Sequence, residues 1–135
     1  MKQLCIILLF IFQSCHQQVK NNEQKNNPLY DQVMAIHDSV MPEMSTIHSL
    51  KRDLKAIENA DKKDLVYKRI KDLDEADEAM MSWMASFKVP DDTSVVESYL
   101  RGEKEKISGI SNLMFQSIND ARSLLDSLQT QKVKK

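Results

Sequence analysis

Apolar side chains return every seven residues in three separate stretches of this chain, and that spacing constrains its fold more than any other feature. Thr93, Leu100, Ile107, Met114, Ala121 and Leu128 form the longest row, supported by Val96, Ile110, Ile118 and Leu125. Val66, Leu73, Met80 and Phe87 form a second row, with Ile70, Asp77 and Met84 on the alternate position. Val33, Val40, Ile47 and Leu54 form a third. Such a return places side chains on one stripe of an α-helix, whereas a half-buried strand would alternate with a period of two. Two glycines and three prolines in 135 residues leave few turn formers, which argues against an all-β fold. The expectation is an all-α fold: an antiparallel three-helix bundle of coiled-coil-like hairpins with a long C-terminal helix.

The spacing predicts helices over 29–58, 64–88 and 93–131, a helical domain over 29–131, and a frayed tail over 132–135. Pro42 falls inside the first helix and leaves the carbonyl of Asp38 without its donor, so a kink or a break is expected there. Residues 59–63 read as a polar turn. Val89-Pro90-Asp91-Asp92 stops the second helix, and Asp92 or Thr93 can cap the third. The third helix crosses Gly102 and Gly109 without losing phase. Folding the first hairpin about residue 60 sets His37 level with Met84, Met41 with Met80, and Met44 with Asp77. Folding the second about residue 90 brings Tyr99 to Met80 and Gly102 to Asp77, where the missing Cβ would admit a close approach. That register leaves the third helix overhanging from about Ile118. Ala121, Leu124, Leu125 and Leu128 then form an apolar stripe that needs a cover: a fold-back of the helix, a second copy, or an envelope partner.

The amino terminus has a different character. Behind Lys2 lies a nine-residue apolar run, 4–12. A helix of that length is about 14 Å long, half of the ~30 Å hydrocarbon core, so it cannot span a bilayer but matches the apolar core of a signal peptide. Phe12-Gln13-Ser14-Cys15 resembles the lipobox of bacterial lipoproteins, with an apolar residue at −3 and a small one at −1. The resemblance implies a signal peptide over 1–14, cleavage before Cys15, and acyl chains on that cysteine, a far firmer membrane anchor than one chain alone. Cys5 leaves with the signal, so the exported chain has no disulfide. Residues 15–28 are Asn/Gln-rich and read as a flexible tether. No Asp follows Cys15 and no acidic run follows it, which points to the periplasmic leaflet of the outer membrane.

Function is less legible. A formal net charge of −1 with no basic stripe gives nucleic acid no electrostatic footing. No glycine-rich phosphate loop, G-x-S-x-G, H-E-x-x-H or C-x-x-C occurs, so no enzyme is expected. No EF-hand spacing and no C-x-x-C-H haem attachment occurs either, although a Met/His pair in a bundle could ligate a haem. His37, Met41, Met44 and His48 share a helix face opposite Asp77, Met80 and Met84. Thioethers and imidazoles suit Cu(I), which makes this set the candidate metal site, against the plainer reading of methionines as core filler. A buried Asp77 would need a partner such as His48, Lys51 or Tyr99. The first reading is therefore a lipid-anchored envelope protein that works by binding, through the third helix, to itself or another protein. The alternative is a periplasmic copper-binding protein.

Two segments carry a family resemblance: His37-Asp-Ser-Val-Met-Pro-Glu-Met44 and Leu73-Asp-Glu-Ala-Asp-Glu-Ala-Met-Met-Ser-Trp-Met-Ala-Ser-Phe87. With the short lipoprotein signal, they resemble small helical lipoproteins of the Bacteroidetes group, often labelled viral A-type inclusion proteins. The resemblance extends over most of the chain from Tyr30 onward. It implies a helical fold and an envelope location, and no catalytic residues.

Overall fold

The computed structural model describes residues 27–57 and 62–133, with the side chains of 131–133 left aside. The expected signal peptide, Cys15 and most of the expected tether lie outside the described residues. Four helical segments follow one another: α1 (Pro28–Val40), α2 (Glu43–Lys55), α3 (Lys63–Ser86) and α4 (Thr93–Val133). Among the described residues there is no strand, and no helix is long and apolar enough to cross a membrane.

Local chemistry sets the boundaries. The Asn27 side chain accepts from the Leu29 N–H at 2.9 Å and Pro28 opens the first turn, so α1 starts inside the expected tether. Pro42 separates α1 from α2, yet Met41 and Pro42 both keep right-handed helical dihedrals. Only the hydrogen-bond ladder is interrupted. Met44 and Ser45 donate to carbonyls three residues back, those of Met41 and Pro42, which is tighter than α-helical spacing. Asp92 caps α4 by accepting from the backbone N–H and the hydroxyl of Ser94, and these bonds hold its carboxyl below the ordinary range. Helix α4 runs through Gly102 and Gly109 to Val133, past the expected end at 131. A Cβ at either glycine would meet nothing within 4 Å, which corrects the expected close approach at Gly102.

Helix α4 is the common wall against which α1, α2 and α3 all pack. The three heptad rows meet in one core, with Val33, Val40, Ile47, Leu54, Leu73, Met80, Leu100, Ile107 and Met114 fully buried. The expected overhang is absent. Ala121, Leu124, Leu125 and Leu128 are buried inside this chain, none more than 8% exposed. The error lay in the second register. Phe87 is extended (φ −67°, ψ 110°), and the non-helical stretch 87–92 carries the chain past the end of α3 before it reverses. Helix α4 therefore sits about two turns, roughly 7 residues, farther back than a tight turn allows. Trp83 meets Glu103 and Arg69 meets Asp120. Tyr99 reaches the backbone of Lys88, not Met80. On the other side Gln32 bonds Lys104 across 72 residues of sequence. Carrying that offset along the parallel pair sets Leu54 level with the Leu125 turn, so α2 covers the stripe.

Candidate functional site

The seam between α1–α2 and α3 is where the chemically active side chains converge. Tyr30, His37, Met41, Met44 and His48 lie on one side of the first two helices, spaced so that they face α3. Helix α3 answers in antiparallel order with Phe87, Met84, Met80 and Asp77. The rungs change character along the seam. At the end where α1 begins they are aromatic: Tyr30 lies 6.2 Å from Phe87, Phe87 stacks on Trp83 at 4.8 Å, and Tyr99 stacks on Phe87 at 6.1 Å. At the far end they are ionic. His48 Nε2 lies 3.1 Å from Asp77 Oδ2, Lys51 lies 3.9 Å from the same oxygen, and Lys51 also pairs with Asp74.

Between these ends lies a pair of soft donors. His37 Nε2 is 3.3 Å from Met84 Sδ, the contact the first register anticipated. His37 Nδ1 is 2.8 Å from Asp38 Oδ1, and the imidazole lies 5.6 Å from the Trp83 ring. The His37 side chain is 17% exposed, Met80 is fully buried, and Met41, Met44 and Met84 are half-buried. The seven residues expected to form one metal set thus separate. His37 and Met84 touch, with Met41 and Met80 one turn further along their helices. His48 and Asp77 form their own pair beside Lys51, one turn beyond the expected Met44–Asp77 rung. Among the described residues no group of three or more His, Cys, Asp or Glu side chains converges.

Asp77 is less anomalous than its row suggested. Ala76 takes the core position at 0% exposure, and Asp77 flanks it with a side chain 20% exposed. His48 and Lys51 partner one oxygen, while Oδ1 is buried with no hydrogen-bond partner among the described residues. The buried carboxylate is Glu103, which sequence reasoning passed over. At 5% exposure it accepts from the Trp83 indole N–H at 2.8 Å and from the Lys106 ammonium at 2.7 Å. The hydrogen bond and charge of Glu103 raise the Lys106 pKa. The signal was present in the sequence. Val96, Glu103, Ile110, Ser117 and Leu124 form a second seven-residue row on α4, and Glu103 and Ser117 interrupt it.

Outside this pair, between α3 and α4, an open groove of about 420 Å³ is lined by Ala79, Ser82, Trp83, Gly109, Ile110 and Leu113, with Ser86 and Lys106 at its edge. Its lining is mostly small or apolar, and Leu113 is 38% exposed. Comparison of the chain with known family models, with curated proteins and with solved structures finds no match to any of them.

Proposed function

We propose that this chain is a lipid-anchored envelope protein whose antiparallel three-helix bundle works by binding and not by catalysis. Residues 1–14 are its export signal, Cys15 carries the lipid, and the following Asn/Gln-rich segment tethers the domain to the periplasmic leaflet of the outer membrane. The observation that carries the binding role is the groove between α3 and α4, an apolar furrow open to solvent on the long C-terminal helix. Small side chains from Ala79, Ser82 and Gly109 let an incoming helix approach closely, and Ile110 and Leu113 supply apolar area for it. The partner's contact with the third helix therefore runs through Ile110 and Leu113, since Ala121, Leu124, Leu125 and Leu128 are occupied by the chain's own core.

Two experiments test the proposal. Mass spectrometry of the membrane-extracted protein is expected to find acyl chains on Cys15 and no residue before it, and Cys15→Ser is expected to release the protein from membranes. An intact amino terminus or an unmodified Cys15 thiol overturns the anchor. A photo-reactive residue at 113, placed in the native envelope, is expected to give a discrete cross-linked species that the same probe at the outer-face position 105 does not. Identical patterns from the two positions overturn the groove as the docking face.

A further inference from the structure

We infer that the middle of the α1–α3 seam is a site for one monovalent copper ion, with His37 Nε2 and Met84 Sδ as its first ligands and the thioethers of Met41 and Met80 completing a soft donor set. The argument begins with where the protons are. Asp38 Oδ1 sits 2.8 Å from His37 Nδ1. A carboxylate only accepts, so Nδ1 carries the ring proton. In the singly protonated ring with Nδ1 donating to Asp38, the bare lone pair of Nε2 points at Met84 Sδ, 3.3 Å away, and a thioether is itself an acceptor. In that tautomer two electron-pair donors face each other with no hydrogen between them. A cation between them, or a second proton on the ring, turns that contact from neutral to attractive.

Several features select a soft cation. The donors are an imidazole and thioethers, which suit Cu(I) and offer calcium or magnesium no oxygen cage. The Asp38–His37 contact is the carboxylate–imidazole pairing that orients metal-bound histidines and raises their basicity. His37 and Met41 are four residues apart, on α1 and at its C-cap, and Met80 and Met84 are four apart on α3. Each helix thus presents two donors on one face, in opposite directions along the seam. Metal bonds of about 2.0 Å to imidazole nitrogen and about 2.3 Å to sulfur fit between His37 and Met84 once the Met84 thioether swings back slightly. Its three rotatable bonds allow that. Access is available beside the Pro42 interruption, where Met41 and Met44 are half-buried. The ionic end of the seam is excluded because Lys51 lies against Asp77 and would repel the ion.

The test uses the full chain in detergent micelles with Cys5→Ser and Cys15→Ser, since free thiols would themselves capture the metal. Cu(I) is supplied anaerobically in competition with a chromophoric chelator. The expected result is withdrawal of one equivalent, quenching of Trp83 fluorescence because its ring lies 5.6 Å from His37, and at least tenfold weaker binding for Met84→Leu and for His37→Phe. Helicity of each variant is followed by circular dichroism. If either variant unfolds, the readout passes to the unsubstituted side chains: titration with Ag(I) is expected to shift the ¹⁵N resonance of His37 Nε2 and leave that of His48 unmoved. No withdrawal of Cu(I), equal affinity in Met84→Leu, or a His37 Nε2 resonance that stays unmoved when the metal is added overturns the inference. The site does not depend on the anchor. A copper-binding chain without lipid sinks only the anchor proposal, and a lipidated chain blind to copper sinks only this one.

Discussion

Replacing Trp83 with Phe isolates the interaction that ties α3 to α4 around a buried carboxylate. The substitution keeps an aromatic ring at a site that is 5% exposed and deletes the indole N–H that Glu103 accepts at 2.8 Å. A hydrogen bond to a charged group contributes about 1.5–3 kcal/mol, and Glu103, at 5% exposure, has little access to water to replace it. The smaller ring also forfeits roughly 40 Å² of buried apolar area, about 1 kcal/mol at ~25 cal/mol per Å². The expected cost is about 3 kcal/mol, a large share of the roughly 5–15 kcal/mol that holds a domain together. With a urea m-value of about 1–3 kcal/mol/M, the unfolding midpoint should fall by about 1–3 M, followed by far-ultraviolet circular dichroism because the fluorophore is gone. The decisive comparison is the double variant Trp83→Phe/Glu103→Leu. Removing both partners removes the buried carboxylate oxygen left without its indole donor, so the double variant should be about 1–2 kcal/mol more stable than Trp83→Phe alone. A single variant within about 0.5 kcal/mol of the parent, or strictly additive costs in the cycle, would refute the reasoning.

Further predictions address the register, the glycines and the ion pairs. Leu125→Ala should lower stability by about 2–5 kcal/mol and leave the oligomeric state unchanged, since Leu125 is 8% exposed within its own chain; light scattering beside thermal melting separates this from the loss of a subunit contact. Gly102→Ala and Gly109→Ala should each raise stability by up to about 1 kcal/mol, because an added methyl meets nothing within 4 Å and alanine favours the helix; a lowered melting temperature would show a hidden clash. At Asp72, burial pushes the carboxyl up, but the hydrogen bonds from Lys68 and Arg69 outweigh it and hold the pKa below the ordinary range. A depressed folded-state pKa contributes stability above the unfolded value, and that contribution is lost as pH falls through the folded value. Asp72→Asn should therefore cost up to about 1 kcal/mol at neutral pH, with the difference from the parent vanishing in acid.

The heptad rows were legible because burial follows helical phase directly: Val33 to Leu54, Val66 to Met80 and Leu100 to Leu128 are buried along their rows, while Phe87 is half-buried and Thr93 exposed at the row ends. The His37–Met84 rung was legible for a related reason, since counting back along the first two helical stretches from their common turn sets these two residues level. The second register was not. It depended on the shape of 87–92, where an extended Phe87 and the proline beyond it decide how far the chain travels before reversing. The Asp77 and Glu103 assignments failed in complementary ways. An acidic residue on a row can sit at the flank with its carboxyl near water, as Asp77 does beside Ala76, or point fully inward when a donor such as the Trp83 indole awaits it. Periodicity reports the angle of a residue around its helix but not which neighbour will meet it.

The unbroken run of α4 has a mechanical consequence. At about 1.5 Å of rise per residue, its 41 residues form a post roughly 60 Å tall. Helix α1 begins at the same end as α4, as the Gln32–Lys104 contact requires. A lipid at Cys15 would therefore root the post at its aromatic end and raise Val133 towards the far side of the compartment. Inserting or deleting one heptad would shift that height by about 10 Å while keeping the apolar stripe in phase.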